Sequence, residues 1–282
     1  MIYYHVDVFS SKRLSGNGLI VALYDENLTT DEMIAITQEF RQYETIFIQK
    51  EEEYFSARIF TPVEELEFAG HPILGATAVI HQLFYNEIET ISINIKLQLK
   101  DIVTTSIKSD NTYHVEMDQG VPEYIKTVDK KYYSEIARRI NLDISDLNSN
   151  LPIEVVSTGL PHLLIPVRRG LKKCKIIGAG FEEFIAHFGA KFAYIFDADE
   201  LECRTWDNHG KAEDIATGSA AGPLCAYLIK HGIKKPGEVI EINQGKFLNR
   251  PSVIKTWQCD EENKSIYIAG DVSFFARGEL VI

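Results

Sequence analysis

Cysteine is scarce: there are four in 282 residues, at positions 174, 203, 225 and 259, and no two are spaced as CxxC. That spacing argues against a disulfide framework and against a thiolate zinc site, and leaves reduced, buried thiols as the plain expectation. No apolar run approaches the length needed to cross a bilayer, so no membrane span is expected. The opening stretch MIYYHVDVFSS lacks the basic start and apolar run of a signal peptide, and a cytoplasmic protein is expected. Basic residues are in deficit. Lys and Arg total 29 against 41 Asp and Glu, a formal net charge of −12. Such a chain has no electrostatic footprint for nucleic acid or anionic lipid. Phosphate-cradling motifs are missing as well. TGSAAG (217–222) lacks the GK[ST] ending of a phosphate loop, and GNG at 16–18 leads into a strand rather than a helix.

What is present suffices for a sizeable core. Hydrophobic residues make up 45% of the chain, and its length fits one large or two ordinary domains. Runs rich in β-branched and aromatic residues predict strands over 2–9, 18–24, 45–49, 55–61, 90–97, 101–109 and 112–118. One amphipathic helix interrupts them at 29–40, with Thr29 or Thr30 as its cap and Met33, Ile36 and Phe40 on one face. A second helix within 67–84 is expected to begin near Pro72, and it is apolar on nearly all sides. A turn-rich stretch at 118–124 is the expected hinge. Beyond it come a surface helix at 130–140, strands near 153–157 and 163–167, and a helix near 180–188. Strands at 193–198 and 202–206 lead to a buried helix opening at TGSAAG, and strands near 238–242, 251–258, 265–270 and 272–281 end the chain.

Two helix starts share a character. Gly70-His71 opens the first buried helix and Gly218-Ser219 the second, and both precede an Ala/Gly-rich apolar run. This hints at a duplicated unit, a sheet curled around one central helix. A helix N-terminus presents unpaired N–H groups and about half a positive charge, and small residues let a ligand reach that backbone. Such a mouth can hold an anion, most simply a carboxylate, although TGSAAG can equally be plain close packing. Fixed N–H donors also stabilise an enolate next to a bound carboxylate, so a base within reach can remove the neighbouring C–H proton. Candidate bases are Glu44, His71, Asp214 and Glu213. Glu44 stands at the start of a strand whose Ile46 and Ile48 alternate on one face. Each candidate also has a structural reading: a solvated strand-end carboxylate for Glu44, a packed histidine for His71, and acids that merely serve the helix dipole for Glu213 and Asp214.

These stretches, taken together and in order, resemble the phenazine-biosynthesis isomerase family (PhzF-like proteins). The resemblance runs through VDVFSSKRLSGNGLIV (6–21), LTTDEMIAITQEFRQYETIFI (28–48), RIFTPVEELEFAGHPILGAT (58–77), STGLPHLLIPV (157–167) and EDIATGSAAGPLCAYL (213–228). It implies a diaminopimelate-epimerase-like α/β (α+β) fold of two pseudo-symmetric domains. Each would be a curled, mostly antiparallel sheet or barrel around a central buried helix, with the active site in the cleft between them. The implied boundaries are 1–120 with about 271–282, and 121–270. The resemblance further implies a cofactor-free isomerase, with no metal, that moves a proton between carbons of a small carboxylate-bearing substrate and forms a homodimer. Glu44 would be the acid/base. His71 and Asp214 would support it, and Gly70, His71, Gly218 and Ser219 would bind the substrate carboxylate. Relatives of this fold that use two cysteines would carry them where Ala69 and Asp214 stand here, so a two-thiol racemase is not expected. An amino- or hydroxy-acid epimerase using carboxylates, and a metabolite-binding protein without activity, are the rival readings. The chain departs from the family pattern at Gly18, Tyr43, Leu160 and Ile215, which puts the phenazine-precursor substrate in question.

Overall fold

The computed structural model describes residues 1–24, 28–260 and 262–281. The chain forms two compact units. One is Met1–Asp118 with Ala269–Ile282, and the other is Gln119–Ile268.

The first unit opens with β1 (Ile2–Val8) and β2 (Asn17–Leu23), an antiparallel pair, followed by α1 (Thr30–Phe40) and β3 (Thr45–Lys50). Thr29 caps α1. Its hydroxyl accepts from Glu32 N–H at 3.3 Å, while the Glu32 carboxylate accepts from Thr29 N–H at 2.8 Å, a reciprocal arrangement that satisfies two end donors. Met33 and Thr37 point inward, and Met33 packs with Ala22, Phe47 and Phe60. Next come β4 (Phe55–Phe60), the two-residue β5 (Glu65–Leu66), α2 (Gly70–Phe84), β6 (Thr90–Lys96), β7 (Asp101–Ser109) and β8 (Thr112–Gly120).

The second unit continues with β9 (Glu123–Thr127), α3 (Tyr133–Arg139), β10 (Glu154–Ser157), β11 (Pro161–Val167), α4 (Phe181–Ala186), β12 (Phe192–Asp197), β13 (Glu202–Arg204), α5 (Gly218–Lys230), β14 (Ile240–Gln244) and β15 (Ser252–Gln258). The last strand, β16 (Ile266–Glu279), is continuous where two strands are expected from the sequence. Gly270 lies inside it, and Gly270 and Asp271 hold strand geometry rather than a turn. The expected helix over 130–140 is a 3-10 turn at Lys130–Tyr132 followed by α3. The stretch read as a hinge, 118–124, carries the end of β8 and the start of β9, with two residues between them.

In the first unit the strand order is β1-β2-β3-β4-β6-β7-β8, and both β8 and β1 pair with β16. The run therefore closes on itself, which removes the exposed edges of an open sheet. Two pairs within it are parallel, β2 with β3 and β4 with β6. A parallel pair needs a crossover. Here α1 makes the first crossover and α2 the second. The second unit repeats the plan: β11 with β12 and β13 with β14 are its parallel pairs, and α4 and α5 lie in their crossovers. The weak repeat seen in the two helix starts is thus matched by a repeat in topology. The fold is a mixed α/β architecture dominated by strands.

The central helices explain this layout. In α2 every residue from Gly70 to His81 is buried, and the helix packs on β1, β2, β3, β6 and β7. In α5 Gly218 and all residues from Ala220 to Leu228 are buried, against β10, β11 and β15. Backbone approach is close in both. A Cβ at Gly75 would overlap Leu19 Cδ2 and stand 3.2 Å from Val6 and Val8 methyls, and one at Gly222 would overlap Gln119 Oε1. Helix α2 starts at Gly70, two residues before the expected Pro72, because Ala69 is already extended and serves as its cap. Among the described residues, no helix is long and apolar enough to cross a membrane.

The packing around Gly75 yields a stability prediction. Leu19, Val6 and Val8 are fully buried. Gly75→Ala is expected to destabilise the protein by about 1–3 kcal/mol, the usual cost of overfilling a packed core. Urea denaturation, compared through its midpoint at unchanged slope, measures the effect; an unshifted midpoint would mean that the sheet yields at this point.

Candidate active site

The first candidate group lies at the mouth of α2. Glu44 directly precedes β3, whose residues Thr45 to Ile48 are buried on both faces. One face meets α2, and on the other Phe47 packs with Met33 of α1. The strand is therefore held in place and delivers Glu44 to a defined position. The Glu44 side chain is 12% exposed, and its Oε2 lies 3.1 Å from Nε2 of His71, the second residue of α2. That is ion-pair distance without aligned hydrogen-bond geometry. Burial pushes the His71 imidazole down to about 3. At neutral pH His71 is therefore uncharged, and the contact is one between a carboxyl group and a neutral imidazole rather than a salt bridge. No side chain caps α2, and its first turn carries no acid. Pro72 has no N–H, which leaves Gly70 and His71 as the end donors of this helix.

The second group lies at the mouth of α5. Thr217 occupies the cap position, but its side chain does not cap the helix. Its hydroxyl donates instead to Asp214 Oδ2 at 2.5 Å. Gln244, buried on β14, fixes this turn with four hydrogen bonds. Its Nε2 donates to Asp214 O (2.9 Å) and Thr217 Oγ1 (3.0 Å), and its Oε1 accepts from Thr217 N–H (3.1 Å) and Tyr194 OH (2.9 Å). Ala220 and Ala221 N–H groups turn back to Thr217 O, at 3.1 and 3.3 Å, so the outermost helical donors are those of Gly218 and Ser219. Gln119 Nε2 donates to Gly218 O at 3.0 Å. His162, on β11 and 1% exposed, places Nε2 3.2 Å from Ser219 Oγ.

The sequence candidates therefore separate. Glu44, His71 and Gly70 come together at one mouth, and Asp214, Gly218 and Ser219 at the other. Glu213 does not join them. Both of its oxygens accept from Arg204, at 2.7 Å each, and Arg204 also donates to the carbonyls of Leu171, Lys172 and Cys174. This acid is structural. Three residues escaped the sequence reading: His162, Gln119 and Gln244. A signal existed for the first, since His162 directly precedes the strand expected near 163–167 and its apolar run Leu163, Leu164 and Ile165. None existed for the two glutamines, whose roles depend on partners about 30 and 100 residues away.

Three of the four thiols are buried as expected, and the fourth is not. Cys174, Cys203 and Cys225 are buried and Cys259 is exposed. Burial pushes Cys174 and Cys225 up to about 12, and Cys203 higher still. At neutral pH these three are protonated thiols. Of the departures from the family pattern, Gly18 has a visible counterpart: Gln42 Oε1 would be 2.7 Å from a Cβ there, so the Gln42 side chain lies where a larger residue at 18 would reach. Tyr43 is 40% exposed.

Comparison with known proteins adds a family and a fold. The profile of the family described as phenazine biosynthesis-like protein (PhzC-PhzF) matches residues 6–278. The trans-2,3-dihydro-3-hydroxyanthranilate isomerase of Pseudomonas chlororaphis is 30% identical, with 99% of each chain aligned. A solved structure of a predicted epimerase from Pseudomonas aeruginosa superposes with a TM-score of 0.93 at 39% identity, covering 100% of this chain and 99% of that one. A phenazine biosynthesis protein of the PhzF family from Bacillus anthracis superposes at 0.84 with 24% identity, covering 100% and 99%.

Two of the buried histidines, His71 and His162, make stability depend on pH. Burial pushes His71 and His162 each down to about 3 from an ordinary 6.5. In the unfolded chain both take up a proton near 6.5, while the folded chain keeps them neutral. Protons thus favour the unfolded state as pH falls. The stability these groups hold is complete above about 6.5 and is lost as pH falls from there towards 3. Chemical denaturation between pH 7 and 5, above most carboxylate titrations, is expected to show this fall. Replacing both histidines with glutamine is expected to flatten it, and an equal slope in parent and double variant would refute the assignment.

Proposed function

The chain belongs to the phenazine biosynthesis-like family of isomerases, and on that premise we propose that it isomerises a small carboxylate-bearing substrate, with Glu44 as the acid/base that carries the proton. The observation that carries this reading is the Glu44–His71 contact of 3.1 Å, buried at the uncapped mouth of α2. The substrate carboxylate accepts from the backbone N–H groups of Gly70 and His71, where the positive end of the helix favours an anion. Glu44 in its ionised form removes a proton from a carbon next to the carboxylate-bearing system. The electron pair left behind spreads into an enolate, and the same N–H donors stabilise its charge. Protonated Glu44 then returns that proton to a different carbon, so a double bond moves and no atom is gained or lost. His71, neutral, stands beside Glu44 without adding a full charge.

Gly218 and Ser219 form a second anion-accepting mouth, and Asp214, fixed through Thr217 and Gln244, is its supporting acid. The substrate of the Pseudomonas chlororaphis relative, trans-2,3-dihydro-3-hydroxyanthranilate, is the first compound to try. The family resemblance carries with it the expectations of a cofactor-free reaction and a homodimer. An epimerase reading has one point in its favour, the predicted epimerase that superposes at 0.93. Reaction in deuterium oxide separates the two. An isomerase relocates a double bond and labels the carbon that receives the proton, whereas an epimerase labels a stereocentre whose connectivity is unchanged.

Glu44→Gln tests the acid/base assignment. The amide keeps the shape and removes the proton transfer, so kcat is expected to fall by about 10²–10⁴-fold with KM little changed. A variant that keeps most of its turnover removes Glu44 from this role.

A further inference from the structure

The His162 ring raises a bonding question that the reaction above does not answer. Its Nε2 meets Ser219 Oγ at 3.2 Å, and its Nδ1 is buried with no hydrogen-bond partner. A neutral imidazole carries one N–H donor and one acceptor nitrogen, so two arrangements are available. In the first, Nδ1 holds the proton and Nε2 accepts from the Ser219 hydroxyl. That strands a buried N–H and uses the serine's only proton. In the second, Nε2 holds the proton and donates it to Ser219 Oγ, and Nδ1 is left as an unpaired acceptor. Buried N–H groups without a partner are rarer in folded proteins than acceptors with spare capacity, so the second arrangement is the favoured one. Its neighbours are apolar faces and paired backbone: Phe192 and Tyr194 rings lie with centroids 6.2 and 6.4 Å from it, tilted by 30° and 66°, and its backbone is paired on both sides, to Val156 and Phe192.

We infer that His162 is a positioning residue of the α5 mouth: it donates from Nε2 to Ser219 Oγ and so leaves the Ser219 hydroxyl proton to be given to a bound anion. Ser219 is the second residue of α5 and half-buried. Its hydroxyl then joins the N–H groups of Gly218 and Ser219 as a third donor. The inference rests on the anion-accepting mouth proposed above, but the tautomer can be measured without any ligand.

The test has two arms. In protein labelled with ¹⁵N-histidine, couplings between the ring nitrogens and the ring C–H protons show which nitrogen of His162 is protonated, with His162→Gln used to assign the signal. The expected result at pH 7 is Nε2–H, and an Nδ1–H tautomer overturns the inference. In the second arm inorganic sulfate is titrated while the amide signals of Gly218 and Ser219 are followed. Ser219→Ala and His162→Phe are each expected to weaken sulfate binding by about tenfold, the scale of one hydrogen bond to an anion. His162→Gln, whose amide can still donate from the Nε2 position, is expected to restore most of it. If His162 acts through Ser219, the double variant Ser219→Ala with His162→Phe is no weaker than Ser219→Ala alone. Equal sulfate binding by parent and Ser219→Ala, which leaves the core untouched, overturns the inference even if His162→Phe fails to fold. A parent protein that is Nε2–H at His162 yet binds no sulfate overturns the anion-accepting mouth itself.

Discussion

A helix that is apolar on every side can exist in water only if something surrounds it. Both α2 and α5 are of that kind, and the rest of each unit follows from wrapping one of them. Burying such a helix takes strands on several sides, and in the first unit the run of strands closes on itself around it. The buried helix also sets residue size. Gly75 and Gly222 stand where a methyl group would strike Leu19 and Gln119, so the helices approach their surroundings more closely than alanine would allow. A buried helix still ends somewhere, and its first N–H groups have no partner within the helix. Serine or aspartate caps commonly satisfy these donors. Here α1, a surface helix, has such a cap with a reciprocal acid, whereas α2 and α5 have no side-chain cap at all. The donors that packing leaves uncapped are the ones available to a substrate anion.

Two kinds of buried acid show how structure and chemistry divide. Glu213 is matched to Arg204 through two parallel hydrogen bonds, and the guanidinium is flanked by the Trp206 and Phe247 rings at 4.5 and 4.7 Å. Such a carboxylate is fully committed to its partner. Glu44 has a different neighbour, an imidazole that burial keeps uncharged. His162 and Ser219 repeat part of this pattern at the other mouth, with a hydroxyl in place of the acid.

Much of this was legible in the chain. Periodicity located the strands and helices because β-branched runs and all-round apolar runs report burial directly. The cap of α1 was readable as a short local pattern, and Gly70, His71, Gly218 and Ser219 announced themselves as small or polar residues at the start of apolar helices. Glu44 was readable as an acid at the entrance to a buried strand. The ordered motifs of the family tied these local signals together. The extent of β16 was less legible, since Gly270 and Asp271 have turn-like character and only pairing with neighbouring strands keeps them extended.

Tertiary structure alone decided how neighbouring acids are partnered. Glu213 and Asp214 are adjacent in sequence, yet one is consumed by Arg204 and the other is held by Thr217. Nothing local distinguishes them, because the partner of Glu213 arrives across a strand pairing and the turn carrying Asp214 is fixed by Gln244, 30 residues away. The contact of His162 with Ser219 likewise spans 57 residues. Sequence by itself determined where the chain is buried, since that depends on each residue's own cost of leaving water. The pairing of polar groups inside depends on which distant residues the fold brings into hydrogen-bond reach, and only the folded chain sets that.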